Sequence, residues 1–273
     1  MIRTIVLFSV LTGILLFIGM VFAGAVGVGI ALIFALVINF VSYWYSDKII
    51  LKLYKAKPLE DERINAMIRN LAAEAGIPKP KIYIIPTEVP NAFACGRSPK
   101  KSVVALTRGL LELEKDEVEG VMAHELAHIK NRDVLVATLV ATIAGAISFL
   151  AQIGYWSLFF GGQRRGEGNV IGLFLIIIFA PIAALLIRLA VSRSRELKAD
   201  YMGALISKNP EGLSSALKRI SNVSKRFSLR GSSATSHMWI VNPFRTDWFT
   251  GLFSTHPPLA IRIERLESFR IKK

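Results

Sequence analysis

From Thr4 to Ser46 the chain carries no charged residue, a run of 43 positions. As helix it would extend about 65 Å, roughly two bilayer thicknesses, so the pattern predicts two crossing helices rather than one. The stretch Gly24-Ala25-Val26-Gly27-Val28-Gly29 is where such a hairpin would turn. Tyr43, Trp44 and Tyr45 then stand as an aromatic band ahead of Asp47 and Lys48. Two further uncharged runs, Val134 to Gln163 and Gly168 to Ile187, flank a short loop with Arg164, Arg165 and Glu167. They read as a second helical pair, kinked near Pro181. A cleaved leader is the weaker reading of the first helix, because only Arg3 precedes it and another apolar span follows at once.

Between the first two runs the pattern changes to that of a soluble fold. Ile64, Met67, Ile68, Leu71 and Ala75 recur at helical spacing, and Gly76-Ile77-Pro78 ends that helix. Lys81 to Ile85, Ala92 to Cys95 and Ser102 to Thr107 read as strands, punctuated by Pro86, Pro90, Gly96 and Pro99. Asp116 can cap a helix running through Val118, Val121, Met122, His124 and His128. Beyond Ser192 charge returns densely, Ser228 to Ser236 has the composition of a loop, and Leu259 to Leu266 is an amphipathic helix.

Composition sharpens this picture in two respects. A mean hydropathy of +0.46 over 273 residues argues for several membrane spans with room for a modest soluble domain. The formal charge is +14, and 32 of the 34 Lys and Arg lie outside the Arg164-Arg165 loop. That asymmetry is what cytoplasmic soluble parts produce, with attraction to anionic lipid besides; no nucleic-acid motif accompanies it. Cys95 is the one cysteine, which excludes an intrachain disulfide and a thiolate-rich metal site.

The chemistry begins at His124-Glu125-Leu126-Ala127-His128. Two histidines four apart on a helix project from nearly the same face, so both imidazoles can bind one Zn²⁺. Glu125 between them is placed to take a proton from the attacking water. A zinc hydrolase needs a third protein ligand and one open position. Glu196, in Ser192-Arg193-Ser194-Arg195-Glu196-Leu197-Lys198-Ala199-Asp200, can supply it, with Asp200 one turn later able to accept from a ligand histidine. Both acids also fit an ordinary surface helix beside Arg193, Arg195 and Lys198. Spacing alone leaves those two readings level.

Four blocks together resemble the HtpX family of membrane zinc metallopeptidases, related to the CAAX prenyl proteases. They are Asn91-Ala92-Phe93-Ala94, Val121 to His128, Ser192 to Asp200, and Ser254-Thr255-His256-Pro257-Pro258. The resemblance implies His124, His128 and Glu196 as ligands of one zinc ion, Glu125 as general base and Asp200 as a carboxylate behind the ligands. It also implies Asn91, Ala92, Phe93 and Ala94 as an edge strand that receives extended substrate, a role an unpaired strand edge can perform. His256, held by Pro257-Pro258, is expected to face the cleft and stabilise the oxyanion, again on family likeness. His237 is read as a loop residue. Cys95 departs from the small polar residue expected there and bears on local packing only.

The expected fold is therefore a mainly α integral membrane protein of the gluzincin type. Four transmembrane helices form two hairpins, residues 1–46 and 134–191, and a zincin-like α+β catalytic domain with a small sheet is built from 47–133 and 192–273. A helix continuous from His128 to Val134 would set zinc on the order of 10 Å from the cytoplasmic face of the cell membrane. Polypeptides, membrane proteins above all, are the expected substrates, and the resemblance implies quality control under stress. Two rivals are a prenyl-protein processing protease and a noncatalytic scaffold or chaperone stabilised by zinc. Four spans count against the first and an intact Glu125 against the second.

Overall fold

The structure, a computed structural model, describes residues 2–144, 193–226, 235, 238–241 and 257–269. Most of the second and third apolar runs, the Arg164-Arg165 loop, Pro181, His237 and His256 lie outside the described residues. Among those described, the chain is mostly helical with a small sheet.

The helical run α1 (Ile2–Leu53) would be about 78 Å long if straight. It is not straight. Asn39 Nδ2 donates to Thr12 Oγ1 at 3.1 Å, although 27 residues separate them, about 40 Å along a rod. The chain reverses at Gly24, whose φ of 54° is a left-handed conformation that a side chain would resist. Ile5–Phe17 and Gly24–Leu53 are the apolar arms, and among the described residues only the second has the length and composition to cross a membrane.

Helix α2 (Glu62–Ala75) starts at Asp61, whose side chain accepts from the amides of Arg63 and Ile64, and stops at Gly76 with φ 67°. Strands β1 (Lys57–Pro58), β2 (Lys81–Ile85), β3 (Ala92–Gly96) and β4 (Ser102–Thr107) form a sheet in the order β1-β2-β4-β3. β2 and β4 run parallel, and β3 lies antiparallel to β4 with Ala94 opposite Val104. Strand β1, two residues long, has no periodicity to betray it and exists only through its pairing with β2. β3 is an edge strand with every residue buried. Its alternation sends Ala92 and Ala94 toward the helices and Phe93 and Cys95 toward Ile50, Tyr54 and Trp239. The Tyr54, Phe93 and Trp239 rings meet with centroids 4.9–5.8 Å apart, locking the end of α1 to the sheet.

At the centre lies α3 (Lys115–Lys130), with 11 of its 16 residues buried. Glu114, not Asp116, is the N-cap, because Glu117 reaches back to the Glu114 amide at 3.0 Å. Against α3 pack α2, β3 and two later helices, α5 (Arg193–Ser207) and α6 (Pro210–Arg226). Short α7 (Leu259–Glu267) closes the bundle over α5 and α6. The expectation of one helix from His128 into the second apolar run fails. α3 ends at Lys130, Arg132 takes a left-handed φ of 59°, and a separate helix α4 starts at Val134 (described over Val134–Ala144). α4 packs Val136, Leu139, Val140 and Ile143 against Leu7 and Leu11 of α1.

Candidate metal centre

His124 and His128 sit one turn apart on α3, which packs against α5, and Glu125 directly follows His124. The two helices approach until Gly203 of α5 rests on the backbone of His124, where even a methyl group would stand 3.0 Å from its N and Cα. That close contact delivers Glu196. Donor atoms of His124, His128 and Glu196 all lie within 4.8 Å of one another. The two Nε2 atoms are 3.2 Å apart, Glu196 Oε1 is 3.4 Å from His128 Nε2, and Glu196 Oε2 is 3.8 Å from His124 Nε2. Ligands about 2.0–2.1 Å from a tetrahedral Zn²⁺ stand roughly 3.3 Å from each other, so the trio fits such an ion.

The outward-facing ring nitrogens each have a carboxylate. Asp200 Oδ1 is 3.0 Å from His124 Nδ1, and Asp133 Oδ2 is 3.5 Å from His128 Nδ1. Both contacts favour the tautomer that leaves Nε2 as the metal-facing lone pair. Asp200 is in turn clasped by Arg262: Nε donates to Oδ2 at 2.8 Å and Nη2 to Oδ1 at 2.7 Å, while Nη1 donates to Ile240 O at 2.8 Å. Arg262 is 1% exposed, and this bidentate pairing is what makes its burial tolerable. Burial alone would raise the Asp200 carboxyl, but Arg262 overrides it and brings it down to about 2.

The electrostatics favour a cation among these three side chains. Burial opposes a charge on His128, yet the Glu196 carboxylate, with Asp133, pushes it up to about 10. Glu125 behaves oppositely: burial, reinforced by Glu196, raises it to about 7 despite His128 and the hydrogen bond from the Ala94 amide. A carboxyl poised near neutrality suits proton transfer at physiological pH. The Ala94 contact also sets Glu125 directly beside the outer edge of β3. Part of that edge is engaged already, since Ile240 N donates to Ala92 O at 3.3 Å and Asn91 Nδ2 to Val241 O at 2.8 Å.

Two residues in this arrangement escaped the sequence reading. Asp133 lies in the break after α3, where no helical spacing links it to His128. Arg262 left a signal: it shares a helix face with Leu259 and Leu266, and a charge on an apolar stripe implies a buried partner.

A His-Glu-x-x-His helix completed by a carboxylate from a neighbouring helix is the constellation of a metallopeptidase. The chain belongs to peptidase family M48, whose sequence pattern matches residues 58–270. It is a metalloendopeptidase, and its relatives cover nearly the whole chain. It is 53% identical over 274 residues to the protease HtpX homolog of Thermococcus sibiricus, spanning 97% of this chain and 94% of that one. With the protease HtpX homolog of Pyrococcus abyssi it shares 51% over 278 residues, 99% of this chain and 96% of that one. The crystal structure of S. mikatae Ste24p has a similar fold, with a TM-score of 0.53 at 21% identity over 97% of this chain. This chain spans 64% of that one.

Proposed function

We propose that the protein is a multi-pass membrane zinc endopeptidase that cuts membrane proteins at cytoplasmic segments close to the bilayer. The observation that carries the site is the convergence of His124, His128 and Glu196 donor atoms within 4.8 Å, with buried Glu125 between the histidines. In this reading those three residues hold one Zn²⁺, and Asp200 and Asp133 keep the imidazoles in register. A bound zinc ion supplies Lewis acidity and draws the pKa of a coordinated water toward neutrality.

The chain's own residues do the rest. An extended substrate lies along β3, with Asn91, Ala92, Phe93 and Ala94 as the strand it meets, and the Ala94–Glu125 hydrogen bond supports a scissile peptide held near the base. Glu125 takes a proton from the attacking water and delivers it to the leaving amine. His256 serves as the oxyanion donor, on family likeness. The uncharged runs support four transmembrane helices in two hairpins, and the distribution of Lys and Arg supports a cytoplasmic active site. A role in removing damaged membrane proteins follows from the family resemblance.

The test pairs zinc content with cleavage of an unfolded protein in detergent, for the wild type and Glu125→Gln. Both should retain one zinc ion, and the variant should lose about 10²–10⁴-fold in rate. Undiminished cleavage by the variant refutes the assignment of the base. Full zinc occupancy in His124→Ala, His128→Ala and Glu196→Ala alike refutes the ligand set.

A further inference from the structure

Apart from the metal centre, the described residues form a cleft of about 990 Å³ where the catalytic body meets the apolar helices. Five cations line it: Arg97 and Lys100 from the β3–β4 connection, Lys130 and Arg132 from the α3–α4 break, and Arg195 from α5. The one acid among the lining residues is Asp133, which pairs with Arg195 at 3.6 Å. Five cations against one anion leave a local charge of +4. Low-dielectric walls focus such a field on whatever enters.

We propose that this cleft binds the phosphoryl headgroup of an anionic phospholipid at the base of the catalytic domain. Several independent features support an anion with oxygen acceptors. Buried Arg97 Nη1 and Asn131 Nδ2 have no hydrogen-bond acceptor among the described residues, and both residues line the cleft. Buried donors of this kind call for one. Lys100, Lys130 and Arg132 make no ion pair with any described residue. Arg132 also keeps a long cationic side chain at φ 59°, a backbone position that glycine would occupy without strain.

The surroundings point to a lipid rather than a soluble phosphate. Tyr43 of α1 and Val134, Leu135 and Val136 of α4 give the cleft an apolar wall. The Arg97 guanidinium lies 4.1 Å over the ring of Trp44, in the aromatic band that precedes Asp47. From there the exposed apolar side chains Phe40, Leu36 and Ile33 run along α1 and would accompany acyl chains. A headgroup at that level meets cations, and its tails meet hydrocarbon-facing helix. Through Asp133, which contacts both Arg195 and His128, the bound anion would sit one residue-contact away from the metal ligands.

This inference rests on the bilayer placement proposed above, and its readout does not use proteolysis. The full chain in detergent is titrated with dioctanoyl-phosphatidylglycerol or dioctanoyl-phosphatidylcholine, and bound lipid is counted by native mass spectrometry. The wild type should prefer the anionic lipid by about fivefold or more. The triple variant Lys100→Gln, Lys130→Gln, Arg132→Gly changes three exposed side chains and relaxes the left-handed backbone, so it should fold and lose that preference. A control with the same charge change, Lys57→Gln, Lys81→Gln, Lys115→Gln, should keep it.

Equal binding of both lipids by the wild type overturns the site, as does an equal loss in variant and control, which would mean diffuse attraction only. Displacement of the anionic lipid by millimolar inorganic phosphate overturns the lipid assignment in favour of a soluble phosphoryl ligand. A chain that stays soluble without detergent overturns the bilayer placement itself. A chain that needs detergent yet shows no preference for the anionic lipid overturns the cleft alone.

Discussion

α1 and α3 are both helices rich in apolar residues, and they solve opposite problems. In α1, Phe17, Val26, Ile33 and Leu36 are 62–71% exposed while Ser42 and Ser46 are buried. In α3, Val121, Met122, Leu126 and Ala127 are fully buried, and so are His124 and Glu125. Apolar surface turned outward requires an apolar solvent. Polar groups turned inward require partners, and α3 finds them in Glu196, Asp200, Asp133 and Ala94. The same helical geometry thus presents apolar side chains outward in α1 and encloses a candidate metal centre in α3.

The strongest way to break the contrast is to strand a polar group inside the catalytic body. Arg262→Met leaves Asp200 buried without its cation, and should cost about 3–5 kcal/mol of stability along with weaker metal retention. Adding Asp200→Asn should recover much of the stability, because neither buried charge then remains. Chemical denaturation and metal content of the single and double variants check both statements. A single variant as stable as the wild type would remove Arg262 from the account.

Next comes the reciprocal substitution on the other helix. Ile33→Lys puts a charge on a 65%-exposed position of α1, a change that would be nearly neutral on a soluble surface. In a bilayer it should cost about 3 kcal/mol of insertion energy, read as loss of chain from the membrane fraction. Leu205→Lys, at a 39%-exposed position of α5, should be tolerated. Equal tolerance of both would erase the distinction between the two regions.

A smaller effect tests how closely the body must pack. Gly203→Ala pushes a methyl group to 3.0 Å from the His124 backbone, which should separate α5 from α3 and cost about 1–3 kcal/mol. Metal affinity should fall with it, since the proposed ligand Glu196 rides on α5. Unchanged affinity by competition with a chelator would show that the helices have slack.

The mildest prediction concerns pH. Burial pushes the Glu117 carboxyl up, but hydrogen bonds from Ser215 Oγ, Arg219 and the Glu114 amide outweigh it and hold it below the usual carboxylate range. A group depressed in the fold stabilises it above the unfolded pKa, about 4.3 for Glu, and that contribution is lost as pH falls through the folded value. Glu117→Gln should therefore lower Tm by about 2–4 °C at pH 7. The two melting curves should converge below about pH 4, and a constant difference across that range would contradict the linkage.

Much of this protein is written in short-range pattern. The stop at Gly76, the strands at Lys81–Ile85 and Ser102–Thr107, and the helix over Leu259–Glu267 all follow from periodicity and punctuation within a dozen residues. So does the pairing of His124 with His128, because four residues are one helical turn. Where capping competed, pattern misled: Asp116 looked like the cap, but Glu117 reaches back three residues to the Glu114 amide.

Other features needed the chain to fold before they existed. Arg262 meets Asp200 across 62 positions, and β1 is a strand only because β2 lies beside it. The break at Asn131–Asp133 turns Asp133 back toward His128, where a continuous helix would have carried it away. Local sequence sets backbone preference and side-chain facing, since these depend on neighbours a turn apart. Which charge is buried against which is decided by distant segments packing together, because only then does desolvation make the partner indispensable.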